Sequence, residues 1–497
     1  MFTIGQYHKA LPEYLRLDSI HKDDPHYAYP IGVCYVQERN ESKAIPYLEK
    51  CLQTPDKFPF KLNFYIATAY HLSHRFDDAI KYYEIYKAGL KKKMHSDIIK
   101  EMDRNVKMCE TGKQLVANPI QIEIINLGKM VNSKYPEYGA VISASEDELI
   151  FTSNRPNTTG GAVDPSDGKF FEDIYISYKD KAGHWSAPVK MGSGINTNGH
   201  DASISLTADG QKLILYRNEA KENIISTSPG ELYFSDLHGT TWSRPVKLPA
   251  QINNGAYQPS ACLSEDQRVL YFVSNREGGI GGTDLYMVKK LSNGQWALPQ
   301  NLGKTINTPY DEDSPYMHPD GKTLYFSSNG HKTMGGFDVF VTRFVDSTKS
   351  WSEPENVGYP ISTAHDDVHF SWSADAKRIY FSSIRPEGNG DKDIYYANIE
   401  KEAAQVLVVK GIVYDSLSQK PMEATIKVTD VNTNEVIGVF NSNSSSGKYI
   451  IILPEGKNYN FSVEAPNYGI CTQNINVSDL HQFKEVDKDI SLCQKKH

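Results

Sequence analysis

Five side chains recur at one point of a repeated pattern. Glu137, Asp201, Gln258, Glu312 and Asp367 each lie six residues after the valine or isoleucine of an Ile-Asn-Thr-like turn. Four of the five are carboxylates, and Asp311, Asp313 and Asp366 stand beside them. Ringed on one face near a common axis, they could hold a metal ion or form a socket for a basic partner. The same groups could instead accept backbone N–H groups where one structural unit meets the next. Hydrolysis of a glycoside needs two or three carboxylates held at unequal pKa values. Nothing breaks the symmetry of this set to mark an acid from a base. There is no Gly-x-Ser-x-Gly elbow, zinc-spaced His/Cys cluster, phosphate loop or dinucleotide fingerprint. The sequence therefore assigns no catalytic residue and no cofactor, leaves a metal undecided, and reads as a non-enzyme.

These residues are positioned by a module that runs five times between Ser145 and Tyr395. Its clearest copy is Asp320-Gly321-Lys322-Thr323-Leu324-Tyr325-Phe326-Ser327-Ser328-Asn329, a Gly-rich gap, then Asp338-Val339-Phe340. The anchors Phe151, Leu215, Phe272, Phe326 and Phe381 recur at roughly 55–65 residues. Trp185/Pro188, Trp242/Pro245, Trp296/Pro299 and Trp351/Pro354 mark an outer strand in four copies. A long period with aromatic strands and internal turns reads as a β-propeller blade. The fifth copy lacks its outer strand, and an orphan strand at 120–125 precedes the first. The expectation is a five-bladed β-propeller over residues 119–400, closed by that orphan, which removes exposed sheet edges. Asp173, Asp284, Asp338 and Asp393 are expected to accept hydrogen bonds between blades. Gly278 to Gly282 lies between two strands and reads as a turn.

Residues 1–117 are helical and repeat at 34–35 residues. Ala10, Ala44 and Ala79 align, as do Gly32 with Ala67 and Tyr35 with Tyr70. Small residues let paired helices approach, and Pro25 and Pro55 fall at the turns. Tyr29, Val33 and Gln37 are the candidates for a concave partner-binding face. Residues 404–497 show short strands separated by turns, the pattern of a small β-sandwich. Cys471 and Cys493 there are the pair placed to form a disulfide. The fold class expected is therefore multidomain and mainly β: helical array, five-bladed propeller, C-terminal sandwich.

The net charge of −8 excludes a general nucleic-acid binder. No apolar run reaches the ~18–20 residues of a transmembrane helix. Met1 to Ala10 already joins an amphipathic pattern, so no signal peptide is read.

The helical region resembles the tetratricopeptide repeat. His318-Pro319-Asp320-Gly321 is similar to the Pro-Asp, WD-like repeats of TolB-type propellers. Gly411-Ile412-Val413-Tyr414-Asp415, Gly447-Lys448-Tyr449 and Leu453-Pro454-Glu455-Gly456 resemble carboxypeptidase regulatory-like, transthyretin-type domains. Together, in this order, they resemble the OmpA-family envelope proteins of Bacteroidetes and their PorE-like members. That resemblance implies a periplasmic, outer-membrane-associated scaffold of type IX secretion or gliding machinery, with envelope proteins as partners. It implies peptidoglycan association only through an OmpA-like domain that would follow His497. The alternative reading is a glycan- or cation-binding propeller in polysaccharide sensing or envelope anchoring.

Overall fold

The computed structural model describes residues 2, 5–21, 24–143, 145–164, 168–207, 209–218, 220–221, 224–225, 229–374, 376–399, 406–454, 458–476 and 484–495. The chain is mainly β, with several sheets and a short helical region at the N-terminus.

Six helices open the chain: α1 (Tyr7–Ile20), α2 (Pro25–Gln37), α3 (Glu41–Leu52), α4 (Leu62–Leu72), α5 (Phe76–Ala88) and α6 (Ser96–Ala117). Asp24 caps α2 by accepting the His26 N–H at 3.0 Å, and Pro25 sits where a missing N–H costs nothing. The repeated small residues do what their spacing implies. Ala10, Ala44, Ala67 and Ala79 are buried, and a Cβ on Gly32 would come within 2.6 Å of Leu48. Cys34, Cys51 and Cys109 are packing residues, and burial pushes each thiol up to about 12.

Among the described residues, five antiparallel sheets of four or five strands follow, and a two-stranded one pairs Ala220–Lys221 with Ile224–Ile225. The fourth shows the plan: inner strand Glu312–Met317, then Thr323–Ser328, Asp338–Val345 and outer strand Glu355–Asn356. The first, second and third sheets begin at Glu137–Ile142, His200–Leu206 and Ala261–Leu263. The fifth comprises Asp367–Trp372, Arg378–Ser383 and Asp393–Asn398, and its outer strand is Ile124–Asn126, with Ile125 opposite Tyr396. The orphan strand thus lies where the unfinished copy needs it, but it is Ile124–Asn126 and not the expected 120–125. Inner strands of successive sheets touch in order, and that of the fifth touches that of the first. Hydrophobic clusters fill the junctions, including Phe272 with Leu232 and Ile394 with Phe151. The five anchor residues are all fully buried. Each contributes roughly 1.5–3 kcal/mol of burial.

The last unit has two sheets around one core. One pairs Val406–Asp415 with Lys448–Pro454, Lys484–Asp487 and Ile490–Leu492; the other orders Val436–Asn441, Thr425–Asp430, Asn458–Glu464 and Cys471–Asn476. Glu455 and Gly456 of the expected turn lie outside the described residues. Cys471 and Cys493, whose pairing the sequence leaves open, are both free thiols. Cys493 lies beside Gly469, whose N–H donates to its carbonyl, and Cys471 pairs with Val463 instead.

The two flanking units bind opposite ends of the inner strands. At the end where those strands begin, Met334 enters the helical core fully buried, and His71 Nε2 meets its carbonyl at 2.7 Å. Arg104 donates to the Asn329 carbonyl and lies 3.8 Å from the Tyr310 ring centroid. At the other end Asn443 Nδ2 donates to the Gly239 carbonyl at 2.8 Å, and Val408 and Ile452 pack on Ala374.

Candidate functional site

The five recurring residues are all 0% exposed. Each is bound by its own turn. Glu312 accepts the Thr308 N–H at 2.9 Å, the Thr308 hydroxyl at 2.7 Å and the Ser328 hydroxyl at 2.8 Å. Asp367 accepts the Thr363 N–H at 2.6 Å and hydroxyl at 2.9 Å. Asp201 does the same with Thr197, and Glu137 with Ser133. Gln258 donates to Asn254 Oδ1 at 3.0 Å. They are not gathered into one open site, so the socket and metal readings of this set give way to the junction role. Among the described residues no three His, Cys, Asp or Glu side chains are grouped to hold a metal ion.

The sequence reading missed the cations that complete these junctions. Arg155, Arg217, Arg276 and Arg385 donate to the carbonyls of Val131, Ile195, Ile252 and Ile361, the first residue of each turn motif. Three of them also pair with the buried carboxylate: Arg155 with Glu137 at 3.1 Å, Arg217 with Asp201 at 2.8 Å, Arg385 with Asp367 at 3.5 Å. Ser-Asn-Arg at 153–155 and 274–276 was the available signal. In the fourth sheet a Cβ on Gly330 would fall 1.9 Å from Thr308 Oγ1, so no arginine fits there. His331 takes over the Ile306 carbonyl at 2.8 Å, and burial lowers its pKa, leaving it neutral. Burial raises the pKa of all four carboxylates, Asp367 to about 6 and Glu312 to about 7. For Glu312 the Asp284 carboxylate adds to the rise and no guanidinium opposes it.

Two further expectations change. Asp173, Asp284, Asp338 and Asp393 accept within their own sheets rather than between them: Asp338 takes the Met334 N–H at 2.8 Å and Asn356 Nδ2 at 2.6 Å, and Asp393 takes Asn126 Nδ2 at 2.8 Å. In the helical region Val33 is 1% exposed and belongs to the core, so it offers nothing to a partner. Helix α2 is covered on that side by its neighbours. Tyr29 packs against Phe58 and Tyr65, and Gln37 alone is exposed.

What comes together is the set of residues flanking the buried five. Successive strand residues point to opposite faces, so a side chain sunk into a junction turns its neighbours elsewhere. Tyr138, His200, Tyr257, Asp313 and Asp366 are such neighbours. His200 lies between Glu172, in contact with Nδ1, and Asp164, 3.1 Å from Nε2. Burial opposes its charge, but the two carboxylates hold its pKa up at about 9. Tyr138 also hydrogen-bonds Glu172 and stacks on His369 at 5.7 Å. Asp313 accepts from the Ser260 hydroxyl and from the Ser314 N–H at 2.5 Å. Inner strands are bulged at this level, between Tyr138 and Val141 and between Asp313 and Tyr316. Ser314 and His369 take positive φ there, 51° and 55°.

Below lies a cavity of about 100 Å³ lined from all five inner strands, with His369 and Ser314 near one end. Ile452 of the C-terminal unit lines the other end, beside Glu265. Burial, with Asp209 nearby, pushes Glu265 up to about 8 although it accepts the Ile452 N–H.

No protein-family model matches this chain. No curated protein matches it. Among solved structures, a glycoside hydrolase is similar over 58% of this chain and 94% of its own, at 8% identity and a TM-score of 0.38. An α-L-arabinofuranosidase from Lactobacillus brevis is similar over 54% of this chain and 91% of its own, at 12% identity and a TM-score of 0.35. A 3-chlorocatechol 1,2-dioxygenase from Rhodococcus opacus 1CP matches 20% of this chain at 9% identity and a TM-score of 0.15, and the chain spans 63% of that enzyme's length. The expectation of a non-enzyme is not upheld: a glycoside hydrolase and an α-L-arabinofuranosidase are among the solved structures similar over more than half of the chain. A likeness this distant carries over no substrate and no catalytic residue.

Proposed function

We propose that this chain is an assembly platform of the cell envelope, built as a five-bladed propeller held between a tetratricopeptide-like array and a regulatory-like sandwich. The observation that carries this reading is the double grip. Met334 is plugged into the array at one end of the inner strands, and Ile452 sits over the axis at the other. Units joined through buried side chains keep a fixed spacing, which a linker alone does not give. The array keeps an outer surface for a partner: Ile20, Phe60, Ile85 and Met94 are between 39% and 74% exposed. Large exposed apolar residues are the common mark of a protein contact.

The order of the three units supports placing the platform among OmpA-family, PorE-like envelope proteins, with a periplasmic, outer-membrane-associated site and partners in type IX secretion or gliding machinery. Photo-crosslinking from Phe60 and Met94 in intact envelopes tests this. One defined outer-membrane or secretion component captured at both positions supports the platform. Capture that varies at random between preparations removes it.

A further inference from the structure

We propose that the array-facing mouth of the axis is a binding site for a neutral saccharide. Three tyrosines meet there. The rings of Tyr216 and Tyr257 stand edge to face, 6.2 Å apart, and Tyr257 is 41% exposed. Tyr138 is held flat on His369 and bonded to Glu172. The Tyr257 hydroxyl lies within electrostatic reach of Asp313, Tyr216 and Glu172, and that of Tyr138 within reach of Glu172, Tyr257 and Tyr216, so the three rings and two carboxylates come together.

The charges select the ligand. Glu172 and Asp313 stand close to two cations, the His200 imidazolium and Lys392, the latter 3.7 Å from Asp366. A cationic ligand would face Lys392 and His200, and an anionic one would face three carboxylates. A neutral polyhydroxylated molecule suits this mixed-sign rim. Its hydroxyls donate to carboxylates in charge-assisted hydrogen bonds, and its C–H faces cover tyrosine rings. Few precisely placed polar groups beside aromatic walls are the usual make-up of a small-molecule site.

Access is one-sided. The array contacts the sheets at Asn329, Met334 and Tyr359, at His365 through Glu41, and at Gly168. Those contacts cover the fourth, fifth and first sheets. Tyr216 and Tyr257 belong to the second and third, away from those contacts. Glu172 and Lys392 are each 29% exposed, so the rim meets solvent. The proposal rests on the mouth residues and not on which envelope protein the platform holds, so loss of sugar binding and loss of a protein partner are separate results.

Saturation-transfer NMR on the full chain with cellotriose, chitotriose and spermidine tests it. Expected is transfer to at least one trisaccharide at millimolar concentration, weakened tenfold or more by Tyr257→Ala and by Glu172→Gln. Tyr257→Phe retains binding, and Met94→Ala on the array leaves it unchanged. Tyr257 is exposed, so its variants remain informative if Glu172→Gln disturbs His200. Transfer to neither sugar, sugar binding indifferent to Tyr257→Ala, or spermidine displacing the sugar would each overturn the proposal.

Discussion

Glu312→Gln should make the sheet region less sensitive to alkali. The Glu312 carboxyl is 0% exposed and has lost the guanidinium that its counterparts in the first, second and fifth sheets enjoy. Its pKa is about 7, against 4.5 for an ordinary glutamate. A raised carboxyl pKa means that folding favours the proton. The associated stability is fully present below the ordinary value and is lost as pH rises through 7. At about 1.4 kcal/mol per pKa unit, the wild type loses roughly 3 kcal/mol of that term between pH 4.5 and 8. Glutamine cannot ionise, so the variant escapes this loss. It pays a separate, pH-independent cost of about 1 kcal/mol, because one amide oxygen replaces two acceptors for Thr308 and Ser328. Relative to wild type, the variant is therefore slightly less stable at pH 5 and about 2 kcal/mol more stable at pH 8. Urea unfolding followed by tryptophan fluorescence reads this cleanly, since Trp185, Trp242, Trp296, Trp351 and Trp372 are all in the sheet region. A difference between the two proteins that stays constant from pH 5 to 8 would refute the reasoning.

Three other outcomes follow from the same geometry. Arg217→Ala leaves Asp201 buried without its 2.8 Å partner and should cost about 3–5 kcal/mol, measured by the same unfolding assay; a loss below 1 kcal/mol would mean the pair is not buried as described. Glu265 carries a carboxyl pKa of about 8 beneath Ile452, so the contact with the C-terminal unit should weaken as pH rises through 8 in the wild type but not in Glu265→Gln, visible as faster amide exchange at 450–453. Phe326→Ala, at a fully buried anchor, should cost about 3–5 kcal/mol, whereas Leu298→Ala, at an 80% exposed position, should be near neutral in thermal unfolding.

The repeated module was legible because its anchors and turns obey one local rule in every copy. Phe272 and Phe326 had to be strand-core residues, and the orphan at 120–125 had to complete the fifth sheet. The site was less legible, because its meaning depends on which way a side chain turns. Glu312 and Asp313 are neighbours in sequence, yet one is consumed by its own turn and the other accepts from Ser260 of the neighbouring sheet. Val33 looked like a groove residue because its periodicity is that of a helix face, and the sequence does not say which neighbours cover that face. Arg155 and its counterparts escaped notice because their carbonyl acceptors lie more than twenty residues back along the chain, and the Ser-Asn-Arg run that marks two of them says nothing about which turn it reaches. Cys471 and Cys493 share a unit but not a pairing register.

The docking of the helical array on the sheets is tested most directly at His71. Its imidazole is sealed against the Met334 carbonyl, and burial lowers its pKa to about 4. Histidine-selective nitrogen-15 NMR should show His71 neutral down to about pH 4, its contribution to docking fading as pH falls from 6.5 toward that value. A midpoint near 6.5, the value for a histidine in water, would mean that the array does not close over Met334 and that array and sheets are not a single body.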